Sequence, residues 1–245
     1  MRIYLAWFSS GLEELRTLSK RVVIIDALRC SATIVTAFEH GIKSVIPVES
    51  VDAGRCLKRK NPNVIFSAEI DGVKVPDADV GNSPTKIKEI LKAKKCDAII
   101  IRTSAGTKMI KKALELGFEV IIIGTFLNAR AVARYVSREN DPLGILCAGY
   151  KGMYFTIEDF LAAGAIIEEM RSIIGSRLVL DDQALAAHLA FKASKDKLLD
   201  IVLRGKSAIR IIEIGEEYDI PESIKINTSS IVPVVVNGKI VGLRV

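Results

Sequence analysis

The sequence predicts an α/β fold: three layers, α/β/α, around a mixed, largely parallel central sheet. Three observations carry that expectation. Aliphatic runs without polar alternation occur at VVII (22–25), AIII (98–101), VIII (120–123) and GIL (144–146). That is the pattern of strands buried on both faces. Each run stops at a cluster of small polar residues, ALRCSAT, RTSAGT, GTFLNA and CAGYKG in turn. Helix-length segments separate the runs, and alternating strands and helices build a parallel sheet. Ligands of such sheets bind beyond the carboxyl ends of the strands.

The elements follow in order. An N-terminal strand and short helix precede a central strand, Val22–Ile25, and a helix, Ala32–His40, closed by Gly41 at C′. Ser44–Val48 reads as a strand, Val51–Lys58 as a short helix and Val64–Ser67 as a third strand. The stretch AEIDGVKVPDADVGNSP that follows reads as irregular. Ser83 and Pro84 make an N-cap and first-turn pair for a helix over Pro84–Lys94. Ala98–Ile101 and Glu119–Ile123 are strands, with helices after them at 107–116 and 127–138. Leu143–Cys147 is another strand, and a long helix covers 157–174. Asp182–Lys195 and Ser207–Gly215 read as helical, and IVPVVV-NG-KIVGLRV is a hairpin with a type I′ turn at Asn237-Gly238. Without a Pro-, Gly- or Ser-rich linker or an internal repeat, residues 1–245 read as a single domain.

Composition narrows the function. With 49% hydrophobic and 26% charged residues, the chain is an ordinary globular one. No apolar run reaches the roughly 18–20 residues a membrane span requires, so no membrane partner is expected. The N-terminus lacks a secretory cleavage pattern, and the four cysteines form no CxxC pair, so a reduced, cytoplasmic protein is expected. The net charge of +6 is spread over many lysines, without the focused stripe of a nucleic-acid footprint. It would instead help draw in a small anionic substrate. A single glutamine among abundant Lys, Glu and Ile leans thermophilic. A homo-oligomer is left open.

Several machines are excluded. With His40 and His188 as the only histidines, there is no three-histidine metal site and no HExxH. GxxxxGK[ST], GxGxxG and GxSxG are also absent.

What remains is acids and anion-cradling turns. Asp26 emerges from a buried strand, where an acid is costly unless hydrogen-bonded, paired or metal-bound. Capping the next turn is its plainest alternative role. Arg29 offers a fork suited to phosphate or sulfonate. Ser31 and Thr33 open the following helix, whose N-terminus favours an anion, although N-capping accounts for one of the hydroxyls. Glu69 shares a loop with Asp71, Asp77 and Asp79. Solvated acids are the default there, yet Mg²⁺ needs only one or two carboxylates. Asn82 and Ser83 stand at another helix start, and Thr103, Ser104, Gly106 and Thr107 form a compact turn suited to oxyanions. Thr156-x-x-Asp159 reads as a capping box, which leaves Glu158 free to face a metal. Together these residues imply a divalent-metal pocket for a phosphorylated small molecule.

The segments VVIIDALRCSATIVTAF, GNSP, RTSAGT, GTFLNARAVA, CAGYKGMYFTIEDFLAAG and SAIRIIEIGEEYDI resemble the 2-phosphosulfolactate phosphatase family, in order along most of the chain. The resemblance implies a Mg²⁺-dependent acid phosphatase that releases sulfolactate and phosphate on a route to coenzyme M. It implies an α/β/α fold with a mixed sheet. Carried over by position, Asp26 and Arg29 are the catalytic candidates. The substrate candidates are Ser31, Thr33, Asn82, Ser83 and Asn128, with Thr103, Ser104, Gly106 and Thr107 from the RTSAGT turn. Asp26, Glu69, Asp79, Glu158 and Asp159 are the metal candidates. Gly81, Gly149 and Asp181 also fall at matching positions.

This chain departs from the family pattern at three positions: Ala105 for an Asn, Lys108 for an Arg, and Ile70 for an Arg. If those side chains hold the second acidic group, the ester is another 2-phospho acid, or the protein is a non-catalytic binder of a phosphorylated or sulfonated metabolite. Whether Asp26 attacks phosphorus or only serves an activated water is left open. The DxD pattern of aspartyl-nucleophile haloacid-dehalogenase phosphatases is broken by Leu28.

Overall fold

A computed structural model describes all residues, 1–245. Its strands are β1 (Arg2–Trp7), β2 (Arg21–Ile25), β3 (Ser44–Pro47), β4 (Ile65–Ile70), β5 (Val73–Lys74), β6 (Ala98–Arg102), β7 (Val120–Gly124), β8 (Leu143–Cys147), β9 (Val179–Leu180), β10 (Ile231–Val236) and β11 (Lys239–Arg244). The helices are α1 (Phe8–Leu18), α2 (Cys30–Glu39), α3 (Val51–Lys60), α4 (Pro84–Ala93), α5 (Gly106–Glu115), α6 (Ala129–Val136), α7 (Ile157–Ile174), α8 (Asp182–Ser194), α9 (Leu198–Val202), α10 (Lys206–Glu213) and α11 (Asp219–Ser223).

All eleven strands join one sheet, in the order β5-β4-β6-β3-β11-β10-β7-β2-β8-β1-β9. Side chains alternate between its two faces, as pleating requires. Val23, Ile25, Ile122 and Ile145 enter one core with α6, α7 and α8, while Val22, Ile24, Ile121 and Leu146 enter another with α1, α2 and α5. Helices therefore cover both faces, giving the three layers. Each such Ile, Leu or Val contributes about 1.5–3 kcal/mol on full burial. No residue of β2 is exposed, so it holds the site's first loop on a rigid base.

The C-terminal hairpin lies in the middle of the sheet, between β3 and β7. Three successive antiparallel pairings, β7 with β10, β10 with β11 and β11 with β3, make the two parallel blocks run in opposite senses. A right-handed twist of roughly 20–25° per step rotates strand direction by roughly 100–125° over the five steps from β2 to β6. Nominally opposed strands thus converge at an acute angle, and the loops after β2, β4, β6 and β8 meet at one cleft.

Other boundaries differ locally. The helix expected from Ala32 begins at Cys30. The stretch expected to be irregular continues β4 to Ile70 and returns as β5 through a two-residue turn, Asp71-Gly72, with φ +51° and +85°. This Asp-Gly turn is chemically as clear as Asn237-Gly238, but no aliphatic alternation flanked it. Thr156 caps α7 without a side-chain hydrogen bond, so the capping box there is not formed.

Candidate functional site

The loops surround a cleft that residues from all four of them line. On its floor three carboxylates are each held by backbone amides from two separated segments. Asp26, at the end of β2, accepts from Gly106 N at 2.8 Å and, more weakly, from Cys30 N at 3.4 Å. Asp159, in the first turn of α7, accepts from Ala27 N and Gly149 N at 2.8 Å each. Glu69 points inward from β4 and accepts from Gly72 N at 2.6 Å, from Ser104 Oγ at 3.1 Å and from Ser104 N. The turns expected to cradle a substrate anion are thus cradling the protein's own carboxylates. The Leu28–Arg29 peptide beside Asp26 is cis.

Glu158 adds a fourth acid, buried, with Oε2 lacking any hydrogen-bond partner. Burial and the charge of Asp159 push Asp26 up to about 7, against a partial offset from its amides. Burial and the Glu158 charge do the same to Asp159. Burial raises Glu158 to about 7, opposed in part by the nearby Ser207 hydroxyl and helped by the Asp26 charge. Like charges in a dry site hold protons unless a cation offsets them.

Arg29 does not project as a phosphate fork. Its guanidinium is buried, bonded to Glu216, to Asp219 at 2.6 Å and to the Gly72 carbonyl at 3.1 Å. It ties the start of α2 to the region of α11 and to the β4–β5 turn. Burial alone would raise Glu216, but the hydrogen bonds from Lys86 and Arg29 take it below its ordinary value.

The remaining candidates divide cleanly. Asn82, Thr103 and Ser104 line the cleft with Asp26, Arg29, Glu69, Glu158 and Asp159. Ser31, Thr33, Ser83, Gly106, Thr107 and Asn128 do not line it. Ser31 Oγ accepts the Asp26 amide at 3.0 Å, and Thr33 is buried within α2. Ser83 caps α4 through Lys86 N and donates to Asp219 at 2.9 Å. Thr107 exchanges hydrogen bonds with Thr103. Asn128 accepts from Thr125 N at 2.9 Å and donates to Ile231 O at 3.0 Å, pinning β7 to β10.

Asp79 is a correction to the metal set. It pairs with Lys58 at 2.7 Å and accepts from Phe66 N at 2.8 Å, outside the cleft. Asp181 caps α8, accepting from Ala184 N at 2.7 Å. The one Cys-x₅-Arg spacing, Cys96 to Arg102, runs along β6 itself and forms no anion-binding loop.

Sequence reasoning missed Lys151, Arg210 and Ser207, which also line the cleft. Lys151 lay in view within CAGYKG, but nothing marked its direction. Ile70 and Lys108, two of the three departures, are exposed and outside the cleft, whereas Ala105 lines it.

The cleft lining carries five acids and three cations, and Arg29 is neutralised by Glu216 and Asp219 from outside that lining. An anionic ligand entering this acidic lining needs a counter-charge. No group of three or more His, Cys, Asp or Glu side chains is arranged to enclose a metal ion. Hard oxygen donors with an unpartnered buried Glu158 oxygen nonetheless fit Mg²⁺, which keeps several waters and takes one or two carboxylates.

A family model described as 2-phosphosulpholactate phosphatase matches residues 9–238. A protein of Caldanaerobacter subterraneus subsp. tengcongensis, named "Probable 2-phosphosulfolactate phosphatase", is 35% identical over 222 residues, 89% of either chain. One of Clostridium acetobutylicum with the same name is 33% identical over 245 residues, 98% of this chain and 100% of its own. A third so named, from Thermotoga maritima, is 35% identical over 220 residues, 89% of this chain and 90% of its own.

Proposed function

Because the chain belongs to the 2-phosphosulfolactate phosphatase family, we propose that it is a Mg²⁺-dependent phosphomonoesterase. It hydrolyses 2-phosphosulfolactate to sulfolactate and phosphate, on a route to coenzyme M. The observation that carries this reading is the cluster of a half-buried Asp26 with buried Glu158 and Asp159 at the floor of an acid-lined cleft. Three such carboxylates are costly to the fold and are rational where charge must be managed during a reaction.

Asp26 and Glu158 would hold Mg²⁺ with water completing its shell, and the ion would supply neutralisation of the phosphoryl oxygens and a more acidic water. The amides of Gly106 and Cys30 fix the Asp26 carboxylate at the end of β2, facing the cleft. In that position Asp26 takes the proton of the attacking water as its oxygen bonds to phosphorus. The ester P–O bond breaks, and the departing alkoxide of sulfolactate receives a proton from a protonated carboxyl of the cluster. Asp159, which burial and the Glu158 charge push up to about 7 and which is not among the metal's holders, is suited to deliver that proton. Arg29 and Glu69 hold the surrounding loops rather than reacting.

A cytoplasmic setting belongs to the same reading, supported by four free cysteines. The test is phosphate release from racemic 2-phosphosulfolactate with Mg²⁺ and then with EDTA. Rapid release that EDTA abolishes is expected. A folded protein that releases no phosphate from this ester would sink the assignment.

A further inference from the structure

The cleft's cations divide sharply. Arg29 is consumed by Glu216 and Asp219. Lys151 and Arg210 stand at the rim, each about one-third exposed. Lys151 adopts left-handed backbone, φ +57°, between Gly149 and Gly152, and its ammonium reaches Asp71 at 3.0 Å. Arg210, on α10, donates from Nε to the Asp71 carbonyl at 3.0 Å. Asp71 itself sits at the tip of the β4–β5 turn, with its side chain half exposed. Three segments remote in sequence therefore meet at Asp71, whose side chain lies on Lys151 and whose carbonyl accepts from Arg210, while Arg210 Nη1 pairs with the exposed Glu213 at 3.2 Å.

We propose that Lys151 and Arg210 form the subsite for one of the two acidic groups that the substrate carries beside its phosphate, the sulfonate or the carboxylate, and that Asp71 lies on this subsite until substrate displaces it. The inference rests on the phosphatase reading above and names how that site selects its ester.

Position supports it. Lys151 lies two residues beyond Gly149, whose amide holds Asp159. The Asp71 amide donates to Ser104 Oγ at 3.2 Å, two residues before Gly106, whose amide holds Asp26. The same two loops thus set the reacting centre and the proposed subsite, fixing their separation. Charge supports it as well. A molecule carrying an acid beside its phosphate brings more negative charge than the acidic floor tolerates, and these two cations are the ones in the cleft not held by buried carboxylates. An exposed ion pair is weak, so an incoming anion can replace Asp71 on Lys151. Arg210 brings a planar fork and Lys151 a point charge, a pairing suited to a three-oxygen or two-oxygen anion. It also explains how the chain can lack arginine at positions 70 and 108, since both side chains there face away from the cleft.

The experiment compares the protein with Lys151→Met, Arg210→Met and Asp71→Asn, with Mg²⁺ present. It measures kcat and KM on 2-phosphosulfolactate and on phenyl phosphate, and the affinity for sulfolactate by calorimetry. Lys151→Met and Arg210→Met should lower the ratio of kcat/KM for 2-phosphosulfolactate to that for phenyl phosphate by about tenfold or more, mainly through KM, and weaken sulfolactate by a similar factor. Asp71→Asn should lower KM for 2-phosphosulfolactate and tighten sulfolactate. Equal losses on both esters, or sulfolactate that binds the variants as it binds the parent protein or fails to bind the parent, overturns the subsite. Sulfolactate binding that depends on Lys151, without phosphate release from any ester, keeps the subsite and overturns the phosphatase reading instead.

Discussion

The carboxylate of Asp26 accepts the amide proton of Gly106 at 2.8 Å, although 80 residues separate them. This contact joins the carboxyl ends of β2 and β6, strands from the two opposed blocks of the sheet. Position 106 has no room for a side chain. A Cβ there would lie 2.7 Å from Cys30 Sγ and 2.8 Å from Asp26 Oδ2. Gly106→Ala should therefore cost about 1–3 kcal/mol of stability by overpacking. It should also lower kcat by more than the stability loss accounts for, because Asp26 must move. Urea unfolding and phosphate release measure the two effects separately, and wild-type turnover in the variant would show that Asp26 has no fixed position to lose.

The buried acids make stability depend on pH. Asp26, Asp159 and Glu158 have ordinary values of 3.8, 3.8 and 4.5 and rise to about 7 in the fold. Between about pH 4 and 7 the folded chain thus holds protons that the unfolded chain has released. The cluster's contribution to stability must fall as pH rises through that window and level off above it. Thermal unfolding in EDTA should show this decline, with a shallower slope in Glu158→Gln. Mg²⁺ should raise Tm more at pH 8 than at pH 5, since protons and metal compete for the same oxygens. A Tm insensitive to Mg²⁺ at pH 8 would count against metal at this cluster.

Two acids from the same sequence reading should behave differently. Asp26→Asn is expected to reduce phosphate release by about 10²–10⁴, the scale of lost proton-transfer catalysis. Asp79→Asn breaks only a partly exposed pair with Lys58, and its activity should stay within about twofold of the parent. Steady-state assays at one pH suffice, and a comparable loss in both would put Asp79 back at the metal.

Arg29 is a support whose removal the fold should feel. Arg29→Met leaves Asp219, fully buried, and Glu216 without their central cation. Breaking such a pair costs about 3–5 kcal/mol. Arg29→Lys should recover only part of this, since an ammonium cannot span two carboxylates and the Gly72 carbonyl with a planar fork. Urea midpoints for the two variants decide the matter, and an unchanged midpoint in Arg29→Met would mean the pair is dispensable.

Much of this was written locally. The buried strands at 22–25, 98–101, 120–123 and 143–147, the Ser83-Pro84 helix start and the Asn237-Gly238 hairpin all follow from short-range sterics and hydrophobic pattern. Asp26 and Glu69 were legible as acids at strand ends that must find partners, whereas Asp159 read locally as a helix cap and joined the set through the family resemblance.

What the chain segments could not carry was direction and partnership. Arg29 looked like a ligand fork because Glu216 and Asp219, its partners, lie almost 190 residues away. Asp79 looked like a metal ligand because nothing local announced Lys58. Lys151 and Arg210 acquire meaning only where the Asp71 turn meets them. The C-terminal hairpin, legible as a hairpin, was not legible as the centre of the sheet. Composition and periodicity are properties of neighbours along the chain, so they fixed the strands, helices and polar loops. Which charge neutralises which, and which oxygens remain for a ligand, depends on through-space distance after eleven strands have paired and twisted, and the tertiary structure alone decided it.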